Sequence, residues 1–599
     1  MKRAGAAGLM TGAVVEEDID IVRAEIVRNA LLSAAQEMND TLVRSAYNPL
    51  IFDVKDFGVG IMSAAGELWA DAPGLPIFTG VLPATVRSAL RKFGPTGLMD
   101  GDVLITNSPY LNGTHLSDTA VYMPTFYNRE LVAFVGSMAH WGDIGGMSPG
   151  GWTVNSTEIV QEGISFTHQR LFVGGLSNRD ILEQVAANVR IPGIVVGDLY
   201  AQIATCRTGA ERVVALCERY GSAEVAKVMQ YIIQRTERSL RQEVAALPDG
   251  RYHSSVRMDF NGVDPEEIPV VAVTTTIEGD RIRVSFEGTS RVSAGPINCG
   301  AEATISAVAE GLKGILDPVG PANEAHIALA EIEWGDEPTL LNAVAPAPCD
   351  SYGYVLTALL EVMQLALIDA VPERTRAGSY QMWAEYIMAT STKTAKPYVF
   401  CEPVQGGHGA FPGHDGGCMI FLLDGNVSNE PVEVLEMRYP VLCEQFAFNA
   451  ESAGAGEFRG GFGVKRDLRV MAEHSMIKTA LENTVDALSR GAKGGHAGSA
   501  SYARLVFPDG RTELQHQRIS DTAVPVGFVL EIRTGGGGGF GFPLDRDPQR
   551  VAEDVRDEFL TPEQAASLYG VRVVPGRIKG SWAADSRHTE SMRAAMRAE

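Results

Sequence analysis

The chain has 599 residues, of which 45% are hydrophobic, and its 74 acidic residues outnumber its 51 basic residues to give a formal charge of −23. A chain of this length can bury several hydrophobic cores, and so large an acidic excess offers no complement to a phosphate backbone or an anionic membrane surface. Nucleic acid is therefore excluded as an expected partner, and no stretch approaches the eighteen or so uninterrupted apolar residues of a transmembrane helix.

The N-terminus and the cysteines indicate the cellular compartment of the protein. Residues 1–16 are predicted to be disordered, because their apolar part is broken by glycine and runs into EEDID, unlike a secretory signal. The cysteines are scattered and form no C-x-x-C pair, which favours a reducing compartment. We expect a soluble, cytoplasmic protein. The seven cysteines are Cys206, Cys217, Cys299, Cys349, Cys401, Cys418 and Cys443.

Helical periodicity is the first structural signal along the chain. Apolar residues recur at helical spacing from Ile19 to Leu42, between the acidic EEDID and the stop YNP, and predict one long amphipathic helix. Alternating patterns at 51–62 and 102–136 predict short strands, and VLPATVRSALRKFG between them predicts a helix ending at Gly94.

The later segments predict an α+β fold, which we describe as a large mixed fold of several segments, β-rich with a helical insertion. Two helical blocks are followed by alternating β-branched residues and then by glycine-dense strands, with a helix at ALLEVMQLALIDAVP. The expected regions are 17–195 (α/β, with the metal site), 196–248 (helical hairpin), 249–340 (antiparallel β), 341–545 (glycine-rich mixed α/β) and 546–599 (short helices and a tail).

Two histidines share a His-x-x-Asp frame in the early glycine-rich stretch. GTHLSD places Asp118 three residues after His115, and AHWGDIGG places Asp143 three residues after His140. A further carboxylate, Asp56, lies in VKDFG. Imidazole nitrogen and carboxylate oxygen together suit Zn, Mn or Fe. From the residues alone a metal site remains open, because a histidine near an aspartate is more often a hydrogen-bonded structural pair.

Other chemistry is weakly signalled. The sequence contains no phosphate-binding G-x-x-x-x-G-K-[ST] loop, and no cysteine lies in a recognisable nucleophile context. GGGGGFG at 535–541 has no following helix to hold an anion and is predicted to be a structural turn. His408 and His414 in GGHGAFPGHD are candidate ligands, although a structural role is favoured for both.

An ordered set of motifs resembles the hydantoinase B/oxoprolinase family from about residue 20 to 570. That family includes the second large subunit of ATP-dependent hydantoinases, the corresponding half of 5-oxoprolinase, a caprolactamase subunit, and related subunits of acetone and acetophenone carboxylases. The motifs are NPLIFDVKDFG, GDVLITNSPYLNGTHLSD, AHWGDIGGMSPGG, STEIVQEGI, EVLEMRYPV, SAGAGEFRGG and GGGGGFG.

The resemblance implies a metal centre and a missing partner. It places a divalent metal (Zn, Mn or Fe) on an aspartate and two histidines, with a further aspartate as fourth ligand: Asp56, His115, His140 and Asp118. It also implies catalytic roles for Asp143, which would orient a ligand imidazole or bound water, and for Glu162 in STEIVQEGI. A hydantoinase A-type partner would bind ATP and phosphorylate a cyclic amide, whose C–N bond this chain would then hydrolyse within a hetero-oligomer.

Departures from the family pattern leave the reaction open. Ser108 stands where the family has an acid, and Phe78 stands where it has a histidine. Both changes remove polar groups from near the expected site, so the alternative is a subunit of an ATP-dependent ketone carboxylase of the acetone or acetophenone type. A non-catalytic scaffold is a third possibility. GPINCG, with Asn298 and Cys299, keeps the family's shape without an assignable role.

Overall fold

Helices and strands are mixed along the whole chain in the structure, a computed structural model that describes residues 19–94, 96–391, 395–421, 425, 427–483, 489–576 and 580–598. They build several separate sheets, which confirms the predicted α+β class. The segment predicted to be disordered, residues 1–16, lies outside the described residues. None of the helices in the described part of the chain combines the length and apolar composition needed to traverse a bilayer.

The elements are numbered in chain order. The helices are α1 (Ile21–Ser45), α2 (Pro49–Phe52), α3 (Pro76–Phe93), α4 (Pro109–Asn112), α5 (Arg179–Asn188), α6 (Pro192–Tyr220), α7 (Ser222–Ala245), α8 (Ala301–Leu316), α9 (Glu324–Ile327), α10 (Gly353–Leu367), α11 (Val432–Arg438), α12 (Pro548–Arg556), α13 (Pro562–Tyr569) and α14 (Ser586–Ala598). The strands are β1 (Phe57–Ser63), β2 (Leu68–Asp71), β3 (Val103–Thr106), β4 (Asp118–Tyr127), β5 (Glu130–His140), β6 (Thr167–Val173), β7 (Leu176–Ser177), β8 (Gly250–Arg257), β9 (Val270–Glu278), β10 (Arg281–Ser285), β11 (Ala330–Glu333), β12 (Trp383–Thr390), β13 (Pro397–Pro403), β14 (Val441–Asn449), β15 (Gly463–Val470), β16 (Ser475–Leu481), β17 (Tyr502–Val506), β18 (Thr512–Gln515), β19 (Ile519–Val524), β20 (Val529–Arg533), β21 (Val573–Pro575) and β22 (Trp582–Ala584).

A seven-stranded antiparallel sheet forms the first part of the fold, with strand order β2-β1-β5-β4-β3-β6-β7. Helices α3 and α6 both pack on this sheet, and α1 packs on α6. The central strands β4 and β5 are buried along most of their length, as expected for a sheet with helices on it. The ends of these strands carry the candidate site described below.

The first predicted elements are largely confirmed. Helix α1 begins where the Asp20 side chain accepts hydrogen bonds from the Val22 and Arg23 amides, and it ends before the YNP stop. The strand predicted from residue 51 is wrong at its start, because Asn48 caps the short helix α2 instead. The helix predicted at 81–94 is confirmed but begins earlier, at Pro76.

The two helices predicted for 196–248 are confirmed as α6 and α7, with Gly221 between them. Strands β8 to β10 form the predicted antiparallel ladder, and residues 279–280 connect β9 to β10. The prediction of antiparallel β structure over all of 249–340 is wrong in two respects: α8 and α9 lie inside this range, and β11 pairs with β10 in parallel. The apolar positions of α8 recur at helical spacing, so periodicity could have revealed this helix.

The glycine-rich region is folded, as predicted. Its strands form a four-stranded sheet (β13-β12-β16-β19) and a five-stranded sheet (β14-β15-β20-β17-β18). The segment 535–541 is structural, but it is not a turn. It is an extended run between other glycine segments, in which the Gly537 amide donates to the Gly461 carbonyl at 3.0 Å. A Cβ atom on Gly537 would collide with the His408 backbone, so this close approach requires glycine.

The C-terminal tail predicted within 546–599 is wrong for its described residues. Strands β21 and β22 pair, and α14 follows them. The Arg593 guanidinium of α14 donates to the backbone carbonyls of Tyr569 at 3.0 Å and Arg546 at 2.6 Å, so the helix is tied to the preceding elements.

Candidate metal centre

Three strands of the first sheet bring the candidate residues together at one edge. Asp118 begins β4 and His140 ends β5, and the antiparallel register places them directly opposite each other. Strand β1 begins beside them, where the His140 amide donates to the Asp56 carbonyl at 3.1 Å. Residues far apart in sequence therefore meet because two strands start and one ends at this edge.

His115 reaches this edge from the loop that precedes β4. Helix α4 ends at Gly113, whose φ of +89° is a left-handed conformation that glycine adopts without strain. A Cβ atom at Gly113 would collide with the backbone of Ala303 in α8, so the loop lies directly against that helix. This close packing fixes the chain two residues before His115 and directs its buried imidazole into the site.

Three ligand atoms form a nearly equilateral triangle. His115 Nε2 lies 2.9 Å from Asp118 Oδ1, His140 Nδ1 lies 3.1 Å from the same oxygen, and the two nitrogens are 3.1 Å apart. A cation with bonds of about 2.1 Å at right angles holds adjacent ligand atoms about 3.0 Å apart. Within the described residues this is the one group of three such side chains whose ligand atoms converge.

Asp350 fixes which nitrogen of His115 faces the triangle. His115 Nδ1 lies 3.0 Å from both the Asp350 carbonyl and Asp350 Oδ1. Both atoms only accept hydrogen bonds, so Nδ1 carries the proton and donates. Nε2 of the neutral ring then presents a lone pair to the Asp118 carboxylate, an arrangement that only an added proton or a cation stabilises. Burial lowers the pKa of His115, but Asp118 and Asp350 outweigh it and raise that pKa to about 10.

The Asp118 carboxylate is held from its other side. Tyr352 Oη donates to Asp118 Oδ2 at 2.9 Å, which leaves Oδ1 facing the two histidines. Burial raises the pKa of Asp118, but His115 and His140 outweigh burial and lower it to about 2. Asp118 is therefore an ionised, oriented carboxylate with one oxygen directed into the triangle.

Asp56 lies beside the triangle without being one of its corners. Burial raises the pKa of its carboxyl group to about 6; His140 and His115 lower this pKa, and Asp118 raises it. The four residues that the family resemblance named are thus neighbours, and the structure directly joins three of them.

The donor set fits a divalent metal. Two imidazoles and a carboxylate are the mixed ligands that suit Zn, Mn or Fe. In addition, His140 Nε2 is buried and has no hydrogen-bond partner among the described residues, so the polar groups of the site are not satisfied by the protein alone. Of the residues in place, His115, Asp118 and His140 could hold the ion directly, with Asp56 adjacent.

The structure does not join Asp143 to the histidines. Its oxygens accept hydrogen bonds from the Gly150 amide at 3.1 Å and from the Arg190 amide and guanidinium at 2.7 and 3.0 Å. These contacts fix the loop that follows β5. The orienting role expected for Asp143 on a ligand imidazole has no counterpart in its contacts, because its oxygens are engaged elsewhere.

Glu162 affects the site indirectly, through the segment that carries Asp350. It accepts hydrogen bonds from the Ser156 hydroxyl at 2.7 Å and the Cys349 amide at 2.9 Å, and it thereby holds the segment that carries Asp350. Burial, with a smaller contribution from Asp350, raises the pKa of Glu162 to about 8. Asn298 supports the same segment by donating to the Pro348 carbonyl at 2.9 Å, which gives GPINCG a structural role.

Sequence patterns did not identify three residues that belong to the site, namely Asp350, Tyr352 and Trp152. Asp350 and Tyr352 lie in CDSYGY directly before α10, and the Trp152 ring meets His115 edge-on with centroids 5.3 Å apart. Asp350 is 235 residues from His115 in sequence, so no spacing rule links them. The polar run CDSY before the largely apolar helix α10 is the available signal.

The remaining candidates lie in other surroundings. His408 Nε2 donates to the Phe421 carbonyl at 2.6 Å, and burial, reinforced by Arg376, lowers its pKa to about 3. His414 is exposed on a tight turn with Phe411, and neither histidine belongs to the group of converging ligands found among the described residues. Phe78 is buried in the first turn of α3, and Ser108 precedes α4 without capping it.

Replacing Asp350 with asparagine is expected to weaken metal binding by about 10- to 100-fold, because a carboxylate that fixes the tautomer of a ligand histidine also raises its basicity. The matched variant Asp143→Asn changes another buried aspartate near the same edge and is expected to leave metal affinity unchanged. Competition with a metal-sensitive dye measures both. Equal losses in the two variants would contradict the distinct roles assigned here.

These features belong to a known class of protein. The family model for hydantoinase B/oxoprolinase matches residues 20–543, and the chain belongs to this family. The B-type component of a putative D-/L-hydantoinase from Pseudomonas sp. (strain NS671) is 29% identical, with 93% of this chain and 95% of that protein covered. The beta subunit of caprolactamase from Pseudomonas jessenii is also 29% identical, with 96% and 99% covered.

Solved structures share the fold over nearly the whole chain. ATP-dependent caprolactamase from Pseudomonas jessenii matches with a TM-score of 0.87 and 27% identity, and the match covers 96% of this chain and 100% of that one. Nucleotide-free acetone carboxylase matches with a TM-score of 0.88 and 20% identity, covering 96% and 83%. The second likeness is one of fold alone.

Proposed function

We propose that this chain is the metal-containing subunit of an ATP-dependent amidohydrolase that opens a cyclic amide, such as a hydantoin, a lactam or an oxoproline-like ring. Asp56, His115, Asp118 and His140 would hold the divalent metal. The observation that carries the proposal is the triangle of ligand atoms on His115, Asp118 and His140, with edges of 2.9 to 3.1 Å.

The surrounding residues prepare this centre for hydrolysis. A bound divalent metal supplies Lewis acidity, which polarises a carbonyl group and makes water a stronger nucleophile at neutral pH. Asp350 keeps the Nε2 lone pair of His115 directed inward, and Tyr352 keeps one oxygen of Asp118 directed inward. Trp152 packs edge-on against His115, with the ring centroids 5.3 Å apart.

The amide itself needs activation by a partner. An amide carbon is a poor electrophile, and transfer of a phosphoryl group from ATP to the amide oxygen makes it more reactive. The sequence has no Walker-type phosphate loop. The hydantoinase and caprolactamase relatives that match over nearly their full length are each named as one subunit of an enzyme. These observations support a hydantoinase A-type partner that binds ATP and a hetero-oligomeric complex. The scattered cysteines without a C-x-x-C pair are the sequence observation that favours a cytoplasmic location.

Reconstitution tests the proposal. The chain and its hydantoinase A-type partner, mixed with ATP, a divalent metal and a panel of hydantoins, lactams and oxoproline, are expected to release ADP together with ring-opened product. Omission of either protein is expected to stop both. A purified complex that consumes no cyclic amide of the panel would contradict the proposal.

The same assay separates the competing reactions. ATP use that depends on bicarbonate and a ketone would select the carboxylase, for which the loss of polar groups at Ser108 and Phe78 is the supporting sequence observation. A chain purified without chelator that carries well under one equivalent of metal would instead support a non-catalytic scaffold.

A further inference from the structure

A cavity of about 600 Å³ lies apart from the candidate metal centre. Helix α1, the segment from β2 to the start of α3, helices α8 and α10 and the segment 318–327 line it, and none of the four candidate metal ligands does. Its size is that of a site for a small molecule. The family assignment and the proposed reaction leave this cavity without a role.

Two opposite charges face the cavity without pairing directly. Asp71 lines it and, among the described residues, has no ion-pair partner and no hydrogen bond to another side chain. Lys313 in α8 also lines it and donates to the Asp317 carbonyl at 2.7 Å. Burial raises the pKa of Asp71 to about 6 and lowers the pKa of Lys313. Each charge therefore lacks part of the compensation that water would give it.

The remaining wall exposes more apolar than polar surface, although Glu310, His326 and Arg376 also line it. Leu32, Leu68, Ile327 and Leu360 line the cavity from four different elements. An apolar wall with a few convergent charged groups is typical of a site that binds a small molecule and fixes its orientation. The complementary ligand carries an ammonium group, a carboxylate and an aliphatic body.

We propose that this cavity is a second ligand site that binds an aliphatic amino acid. The ammonium group of the ligand pairs with Asp71, its carboxylate pairs with Lys313, and its side chain lies against Leu32 and Leu360. This site goes beyond the proposed function, since its residues are separate from the metal centre and its occupation requires neither ATP nor turnover.

Calorimetric titration of the full-length chain tests the proposal with L-valine, L-leucine and L-methionine. At least one is expected to bind, and L-leucine is expected to bind at least about tenfold more tightly than 4-methylpentanoate, which lacks the ammonium group, or 3-methylbutylamine, which lacks the carboxylate. Absence of binding by all three amino acids, or equal affinity for the two truncated analogues, overturns the proposal.

Variants locate the binding. Asp71→Asn and Lys313→Met are each expected to weaken binding at least about tenfold. Gly314→Leu places a side chain in open space at the cavity wall, where a Cβ atom meets nothing within 4 Å, and leucine favours the helix. It is expected to block binding while the thermal midpoint is kept. Wild-type affinity in all three variants overturns the proposal.

Two further variants serve as controls. Glu37→Gln changes an exposed acid on α1 outside the cavity and is expected to bind the amino acid as the wild type does. His115→Ala, in the candidate metal centre, is also expected to keep amino-acid binding whether or not turnover is lost. Loss of amino-acid binding in His115→Ala would contradict the separation of the two sites, and this readout is independent of the proposed reaction.

Discussion

Replacing His115 with alanine is expected to remove the bound metal and ATP-dependent turnover together, while assembly with the partner protein persists. The change deletes one corner of the ligand triangle and removes the imidazole that separates the Asp118 and Asp350 carboxylates. Elemental analysis, ADP release and size-exclusion chromatography measure the three effects. His115→Gln, which keeps a polar side chain of similar length, is expected to lose metal and turnover as well.

His414→Ala is the matched control, because His414 is exposed and belongs to no group of converging ligands in the described residues. It is expected to keep metal content and turnover. An unchanged metal content in both His115 variants would show that the triangle does not hold the ion. Failure of the His115 variants to assemble would point to a purely structural role, which the unpartnered His140 Nε2 beside the triangle argues against.

The two His-x-x-Asp frames show where sequence reasoning stops. Both have the same spacing, yet Asp118 joins the site and Asp143 does not. His115 precedes β4, so its aspartate is the first residue of the strand and remains at the sheet edge. His140 ends β5, so its aspartate lies in the following loop and reaches Arg190. The spacing alone does not show whether the histidine precedes a strand or ends one, and this difference decides whether the aspartate reaches the metal centre.

Local sequence patterns predicted those elements that are determined by interactions within one short segment of the chain. The cap at Asp20 and the periodicity of α1 are properties of one segment, and the sequence reveals both. The partnership of Asp350 with His115 depends on how α10 packs beside the first sheet, which no local pattern records. The family resemblance supplied part of this missing information, since it named all three corners of the triangle, but it did not include Asp350.

The second large expected effect is on the free energy of unfolding, and it concerns Arg466, a buried cation in the glycine-rich half of the chain. Arg466 in β15 lies between Glu385 and Glu402, with Nε 3.2 Å from Glu385 Oε1 and a guanidinium hydrogen bond to Glu402. The two glutamates are directly opposite each other on β12 and β13, and all three side chains are buried. Like charges opposite each other on neighbouring strands destabilise a sheet, so the guanidinium is needed between them.

Arg466→Met is expected to lower the free energy of unfolding by about 3–5 kcal/mol, because it leaves two buried carboxyl groups without their counter-charge. Denaturant titration measures the change. Arg212→Met removes an exposed partner of Glu37 and is expected to cost less than about 1 kcal/mol. Adding Glu385→Gln and Glu402→Gln to Arg466→Met is expected to recover part of the loss, since neutral amides need no counter-charge.

The loss in Arg466→Met is also expected to grow with pH. Burial raises the pKa of Glu385 to about 8 in the wild type, against the lowering effect of Arg466, and removal of Arg466 raises it further. A raised carboxyl pKa destabilises the fold increasingly as pH rises from the unfolded pKa of about 4.3 to the folded pKa. In the wild type, the loss of unfolding free energy caused by Glu385 stops growing near pH 8, where its folded-state pKa lies. In the variant, whose Glu385 pKa is higher, the loss continues to grow above pH 8. The difference in unfolding free energy should therefore be larger at pH 9 than at pH 5, and a difference that shrinks with rising pH would show that Arg466 does not stabilise these carboxylates.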